Sequence, residues 1–345
     1  MSQPRNFSMR PDTLLGAAAK PVLRGLTPAV YGLVLPETRA MTRRLWSERP
    51  ELLYDCSYDD VQDAAHGVFL DAWSTWVAPV VTGLAGFGSR YVTNGSSEAI
   101  RETIWNFAGE ARASRLTPQL HVFAGEYEGY AAYARAAQIS VVTHDRTRWR
   151  DDIAFASGSQ HCWYVSQPSA IDGNVWPELP AFIEEITRRD VSLAIDLAYV
   201  GATPTLPRLD LSSPSIRHVF FSLSKVFGVF YHRTGGVLSR IPLLGLEGNK
   251  WFKNIFSLYL GTSLIRETAS PTTLPAKYQH YQTAACRLLH EEHHIPFAAS
   301  EVILLATSPL GNYPRPFRRG NNYRWCLTPT MDRLLREETG EASHA

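Results

Sequence analysis

Short apolar runs recur along the first two thirds of the chain, separated by segments whose apolar side chains fall at helical spacing. Residues 58–78 (YDDVQDAAHGVFLDAWSTWVA) show that spacing and predict a helix. Gly83, Gly86 and Gly88 then punctuate a turn. RYVTNGSSEAIRETIWNFAG reads as a short strand, a Gly-Ser-Ser turn and an amphipathic helix carrying Ile100, Ile104, Trp105 and Phe107. Further strands are predicted at LHVFAG (120–125), ISVVTHD (139–145), HCWYVSQP (161–168), VSLAIDLAY (191–199) and RHVFFSLSK (217–225). AAYARAAQ and PELPAFIEEITRRD (177–190) supply helices between them. This alternation predicts an α/β fold, a three-layer α/β/α large domain with a mostly parallel sheet. After about residue 240 longer helical segments, YLGTSLIRE and KYQHYQTAACRLLHEEHH, lead into a small α+β region. The expected division is an arm and part of the small domain over 1–50, a large domain over 51–240 and a small domain over 241–345, with the arm packing on the C-terminal part.

Hydrophobic residues make up 45 % of the chain and charged ones 19 %, which supports a packed core and excludes global disorder. With 34 Lys and Arg against 33 Asp and Glu, no overall attraction to nucleic acid or an anionic membrane is expected. Cys56, Cys162, Cys286 and Cys326 are too far apart for a CxxC motif and too few for a disulfide scaffold. They read as reduced thiols of a cytoplasmic protein. The opening MSQPRNFSMRPDTLL lacks the apolar centre of a signal peptide, and no apolar run is long enough to span a bilayer. His290, His293 and His294 lie in HEEHH, two of them four apart as on a metal-binding helix; their charged neighbours read instead as a solvated face, and no metal is expected.

Four local patterns carry chemistry. FSLSKVFGVFYHRTGG ends a buried strand in Lys225, flanked by Ser222 and Ser224, with Arg233 eight residues on. A desolvated lysine loses its proton readily and becomes nucleophilic, and the serines and arginine are donors suited to a phosphate dianion. The bland alternative is a strand end followed by a loop. Thr93-Asn94-Gly95-Ser96-Ser97-Glu98 joins a strand to a helix start, either an anion site or a plain cap closed by Glu98. Asp196-Leu197-Ala198-Tyr199 closes another buried strand, where open α/β sheets bind ligands; the acid can pair with a protonated ring nitrogen or cap the next turn. Tyr127 and Tyr130 in FAGEYEGY can stack on a planar ring or pack in the core.

In this order and spacing, the four patterns resemble the fold-type I pyridoxal-phosphate enzymes of the class I/II aminotransferase superfamily. The similarity covers roughly residues 85–240 and extends more loosely through YRWCLTP. The resemblance implies pyridoxal 5′-phosphate as cofactor and Lys225 as the Schiff-base lysine that also shuttles a proton. It implies Asp196 as partner of the pyridine nitrogen, Tyr199 as donor to the ring oxygen and Tyr127 as the stacked ring. Gly95, Ser96, Ser97, Ser222, Ser224 and Arg233 would form the phosphate cup. Arg324, in a basic stretch with Arg315, Arg318 and Arg319, would bind the substrate carboxylate. The activity implied is transamination between an amino acid and a 2-oxo acid by a homodimer, with Tyr54 and Tyr58 as candidates to reach a neighbouring subunit's site.

One turn departs from the superfamily pattern Asn-Pro-Asn-Asn-Pro-Thr-Gly, reading Gln167-Pro168-Ser169-Ala170-Ile171-Asp172-Gly173. The asparagine that would reach the ring oxygen falls on Ala170, with Gln167 or Asn174 as candidate substitutes. A lost donor directs expectation toward elimination, replacement, cyclisation or decarboxylation on the same carbanion. A non-catalytic protein on the same fold is the remaining reading, opposed by the joint presence of Lys225, Asp196 and Arg233. Trp163, Trp176, Trp251 and Phe252 are candidates for aromatic walls or for core.

Overall fold

The computed structural model describes residues 23–53, 59–153, 156–250 and 253–340. Its strands are β1 (Val81–Thr82), β2 (Ser89–Thr93), β3 (Gln119–Phe123), β4 (Ser140–His144), β5 (His161–Ser166), β6 (Ser192–Asp196), β7 (Leu209–Asp210), β8 (Ile216–Ser222), β9 (Gly235–Ser239), β10 (Ala298–Ala299), β11 (Leu305–Ser308), β12 (Arg318–Arg319) and β13 (Asn322–Cys326). Its α-helices are α1 (Pro36–Glu48), α2 (Asp59–Val77), α3 (Ser96–Ala113), α4 (Glu128–Ala136), α5 (Trp149–Asp152), α6 (Leu179–Arg188), α7 (Leu244–Glu247), α8 (Ile255–Glu267), α9 (Thr273–His293) and α10 (Thr328–Thr339).

The main sheet runs β2-β9-β8-β6-β5-β3-β4. Strands β8, β6, β5, β3 and β4 are parallel, while β9 lies antiparallel to both β8 and β2. Every residue of β6 is buried, as expected of a parallel strand covered on both faces. Successive side chains of β8 point to opposite faces, so Phe220 and Phe221 enter different cores. On one side Ile100, Ile104 and Phe107 of α3 join Tyr130 of α4, Tyr164 and Phe220. On the other, Trp73 of α2 stacks on Phe221 with ring centres 3.9 Å apart. Trp105 falls off the buried stripe of α3 and faces outward, 51 % exposed.

Strand β9 is invisible to hydrophobic patterning because its first residues are glycines. A Cβ on Gly236 would stand 2.5 Å from the Phe221 ring and 2.8 Å from the Tyr91 carbonyl, so the β-branched residues that usually mark a strand cannot fit. Beyond it, β10-β11-β13-β12 form an antiparallel sheet with α9 and α10 beside it. The N-terminal arm returns to this region. Thr27 bridges Cys326, Thr328 Oγ1 donates to the Tyr31 carbonyl (2.7 Å) and Thr330 Oγ1 to the Gly25 carbonyl (2.9 Å). His294 lies past the end of α9 in a left-handed cap, so the HEEHH pair does not share a helical face. The His290 ring bonds the Ile295 carbonyl (2.9 Å) and the His293 ring the Arg24 carbonyl (2.8 Å), which ties the helix end to the arm. No helix among the described residues is long and apolar enough to cross a membrane.

Candidate active site

The carboxyl ends of β3, β5, β6 and β8 converge with the start of α3 on a cavity of about 630 Å³, where crossovers in open α/β sheets leave a crevice. The arm (Pro28 to Tyr31), Phe230 and Pro316 complete its walls.

Lys225 lies just past β8, and its Nζ donates to the Val30 carbonyl of the arm. Burial is the chief cause that brings the amine down to about 8; Cys326 opposes the fall, and Arg324 and Arg233 reinforce it. Asp196 ends β6 and is 5 % exposed. Its Oδ1 accepts the Ala198 N–H (2.9 Å) and its Oδ2 the Tyr130 hydroxyl (3.1 Å). Burial still pushes this carboxyl up to about 6, against those two bonds and the Lys225 charge. Tyr199, three residues on, lines the cavity with a phenol that burial pushes up to about 12. Tyr127 presents its ring to the cavity and meets Tyr130 edge-on, ring centres 5.5 Å apart.

An anion cradle stands beside Lys225. Gly95 precedes α3 at φ +75°, a conformation glycine adopts without strain, and a Cβ there would sit 2.8 Å from Arg233 Nη2. That nitrogen donates to the Asn94 carbonyl (3.0 Å) and Ser97 Oγ (3.4 Å). Ser96, Ser97, Ser222, Ser224 and Arg233 all line the cavity, and Ser224 Oγ is buried without a partner. Glu98 is held back from the helix start by the Asn94 N–H (2.6 Å) and Lys253 (2.9 Å), so it caps without filling the cradle. On the opposite wall, Arg324 of β13 donates through Nη1 to the Ala170 carbonyl and through Nη2 to the Pro28 carbonyl (3.2 Å), with Nε buried and unpartnered.

The residues that the resemblance assigned to the cofactor and the substrate carboxylate, Lys225, Asp196, Tyr199, Tyr127, the four serines, Arg233 and Arg324, therefore meet at this one cavity, with Gly95 contributing backbone under Arg233. The proposed substitutes for the missing asparagine do not. Gln167 Oε1 accepts the Trp176 N–H (3.0 Å), and Asn174 Oδ1 accepts the Glu301 N–H (2.9 Å), both away from the cavity. Ala170 lines it with a methyl group. Trp163 and Trp176 pack in the core with Phe123 and Phe182. Tyr54, Tyr58, Trp251 and Phe252 lie outside the described residues.

The structure adds residues that patterning passed over. Ser166 ends β5 directly opposite Asp196 and lines the cavity. Its amide and hydroxyl bind buried Glu126, the first of two acids in FAGEYEGY, whose significance appears only once β3 and β5 are paired. Arg319 lines the cavity too, its guanidinium paired with Glu128.

No protein-family model and no curated protein matches the chain by sequence. Solved structures match it closely in shape. Histidinol-phosphate aminotransferase from Clostridium acetobutylicum is 12 % identical with a TM-score of 0.63, over 90 % of this chain and 96 % of that one. L-threonine-O-3-phosphate decarboxylase from Porphyromonas gingivalis is 14 % identical with a TM-score of 0.62, over 90 % and 98 %. LysN, the α-aminoadipate aminotransferase of Thermus thermophilus, is 15 % identical with a TM-score of 0.65, over 92 % and 93 %, and that structure is complexed with N-(5′-phosphopyridoxyl)-L-leucine. With a mostly parallel seven-stranded sheet, helices on both faces and a cavity at the strand ends, the chain has the fold of the fold-type I aminotransferases.

Proposed function

We propose that the cavity binds pyridoxal 5′-phosphate and that the protein is an aminotransferase acting on an amino acid and a 2-oxo acid. The observation that carries this reading is the placement of Lys225, Asp196 and the Ser–Arg233 cradle around one space. The residues fit the cofactor: Ser224 Oγ is a buried hydroxyl wanting a partner, and the buried Asp196 carboxyl, raised to about 6, wants a cation. A phosphate would rest on Ser96, Ser97, Ser222, Ser224 and Arg233, and a protonated ring nitrogen on Asp196. Tyr199 would donate to a ring oxygen, and Tyr127 would cover a ring face.

When bound, the cofactor supplies an electron sink for a carbanion at the substrate Cα. The chain's own groups do the rest. An amine brought down to about 8 leaves Lys225 a sizeable neutral fraction just above neutral pH, so Nζ can attack a carbonyl and later carry a proton to and from Cα. Arg324 offers its guanidinium to an α-carboxylate and so orients the Cα–H bond. The arm, Phe230 and Pro316 limit access of water.

A second reading, elimination, replacement, cyclisation or decarboxylation at the same Cα, is favoured by Ala170, which leaves a ring oxygen one side-chain donor short. The deciding experiment incubates the protein loaded with pyridoxal phosphate with an amino-acid panel, with and without 2-oxo acids. Conversion of the cofactor to its amine form with release of a 2-oxo acid supports transamination. Ammonia, water or carbon dioxide released without amino-group exchange supports the second reading. A colourless protein with no borohydride-trapped adduct on the Lys225 peptide defeats both. We propose a homodimer as the working form, supported by the exposure of Tyr231 (91 %) beside cavity-lining Phe230; sedimentation as a monomer would refute it.

A further inference from the structure

Glu126 is a buried acid, 6 % exposed, and forms no ion pair among the described residues. The groups facing it are Ser166 of β5, Asp196 of β6, Tyr130 of α4 and Arg146 from the segment after β4. That arginine is engaged elsewhere, by Asp172 and by Ser169 Oγ (2.9 Å). Burial carries the Glu126 carboxyl up to about 7, with the Asp196 charge adding to the rise and Ser166 and Arg146 opposing it.

The contacts of this acid are unsymmetrical. Oε1 accepts the Ser166 N–H (3.1 Å), and Oε2 stands 2.6 Å from Ser166 Oγ. The same Oγ accepts the Ala170 N–H at 2.6 Å. A neutral carboxylic acid satisfies this geometry: its carbonyl oxygen accepts from the amide and its hydroxyl donates to Ser166 Oγ. Ser166 then receives two donors and keeps its own proton for the cavity that it lines. An ionised Glu126 instead draws the serine proton back to Oε2 and leaves only a lone pair facing the cavity.

We propose that Glu126 is a positioning residue whose proton sets the polarity of Ser166, making that hydroxyl a donor to an oxygen of the bound molecule while the acid is neutral. When Glu126 loses its proton to solvent, the donor is withdrawn beside Asp196. A buried carboxyl without a cation costs the fold stability, and this role accounts for its presence where an apolar residue would pack at less cost.

The inference rests on the pyridoxal-phosphate reading for its probe. E126Q is the informative variant: the amide oxygen accepts from the Ser166 N–H, the amide NH₂ donates to Oγ, and nothing titrates. Cofactor affinity is measured by absorbance titration from about pH 6 to about pH 8.5; the titrations of Lys225 and the cofactor cancel in the E126Q-to-wild-type ratio, and the direct Glu126–Asp196 coupling is measured separately as the E126Q effect in an S166A background. The ratio is expected near one at the acid end, rising to about fivefold at the alkaline end, the worth of one hydrogen bond. S166A should bind weakly throughout and approach wild type only at high pH. Thermal melting without added cofactor gives a readout independent of binding. Wild type should lose stability relative to E126Q as pH rises from about 4.5 to about 7 and then run parallel to it. A ratio independent of pH, or parallel melting profiles across that window, overturns the proposal. If no form binds the cofactor, the proposed function falls and the melting profiles alone decide this one.

Discussion

Replacing Asp196 by asparagine should stabilise the cofactor-free protein and abolish tight cofactor binding, two effects of opposite sign from one buried charge. The Asp196 carboxyl stands at about 6 against an ordinary 3.8. Below about pH 4 the folded and unfolded chains both hold the proton. Between that point and about pH 6 the unfolded chain releases it while the folded chain keeps it, so stability falls as pH rises and then levels. Two pKa units at 1.36 kcal/mol each amount to about 3 kcal/mol lost on the alkaline side. D196N keeps an acceptor for the Ala198 N–H and a polar partner for the Tyr130 hydroxyl while carrying no charge. Urea unfolding of the cofactor-free proteins should give equal midpoints near about pH 4 and a D196N advantage approaching 3 kcal/mol at about pH 8. With pyridoxal phosphate present the order should reverse, because the asparagine offers no charge to a protonated ring nitrogen. A D196N protein no more stable than wild type at alkaline pH, or equally stabilised by the cofactor, would refute the argument.

Three further outcomes follow from the same geometry. R324K should raise KM for the amino acid by about ten- to a hundredfold with little change in cofactor affinity, since a lysine cannot reproduce the two-pronged contact; steady-state kinetics and a cofactor titration separate the two. G95A should weaken cofactor binding and lower the melting temperature, because its Cβ meets Arg233 Nη2 at 2.8 Å in a left-handed backbone; equal affinity in the two proteins would count against the cradle. The rate of adduct formation on Lys225 should climb with pH and level above about 8, followed by stopped-flow absorbance, and K225R should form none.

How much of this could be read along the chain depends on what each residue contributes. Strands β3, β5, β6 and β8 were legible as apolar runs, Lys225 and Asp196 as polar groups standing where such runs end, and Arg233 by its spacing eight residues past Lys225. Strand β9 was not, because Gly235 and Gly236 carry no hydrophobic signal and owe their place to Phe221 and Tyr91 on flanking strands. The arm was legible only as an arm: Val30 and Pro28 meet Lys225 and Arg324 through backbone carbonyls, which any residue supplies. Glu126 and Ser166 lie forty residues apart, and their meeting depends on the pairing of β3 with β5. Gln167 had the right chemistry to replace an asparagine, yet its amide is spent on Trp176 nine residues on.

Buried polar groups elsewhere in the molecule show why the ones at the cavity matter. The ring of His121 sits between His144 and His161, each 2.9 Å away, and burial holds it neutral at about 3. Tyr164 reaches Thr103 Oγ1 at 2.9 Å, and the Gln282 amide meets three backbone carbonyls. These groups are fully partnered, so their presence needs no ligand to explain it. Among the described residues, the buried guanidinium nitrogens without a partner are Arg319 Nε and Arg324 Nε, and both side chains line the one cavity. Asp196 and Glu126, the two carboxyls that burial raises furthest toward neutral pH, lie at the same strand ends. Buried acids and guanidinium nitrogens left without a partner each cost free energy that apolar packing would not, so their gathering at one cavity calls for a reason beyond stability. Under the proposed function a phosphate would take the Ser–Arg233 end of that space and a substrate carboxylate the Arg324 end, and the near-neutral charge of the whole chain is a sum that hides this local clustering of ionisable groups.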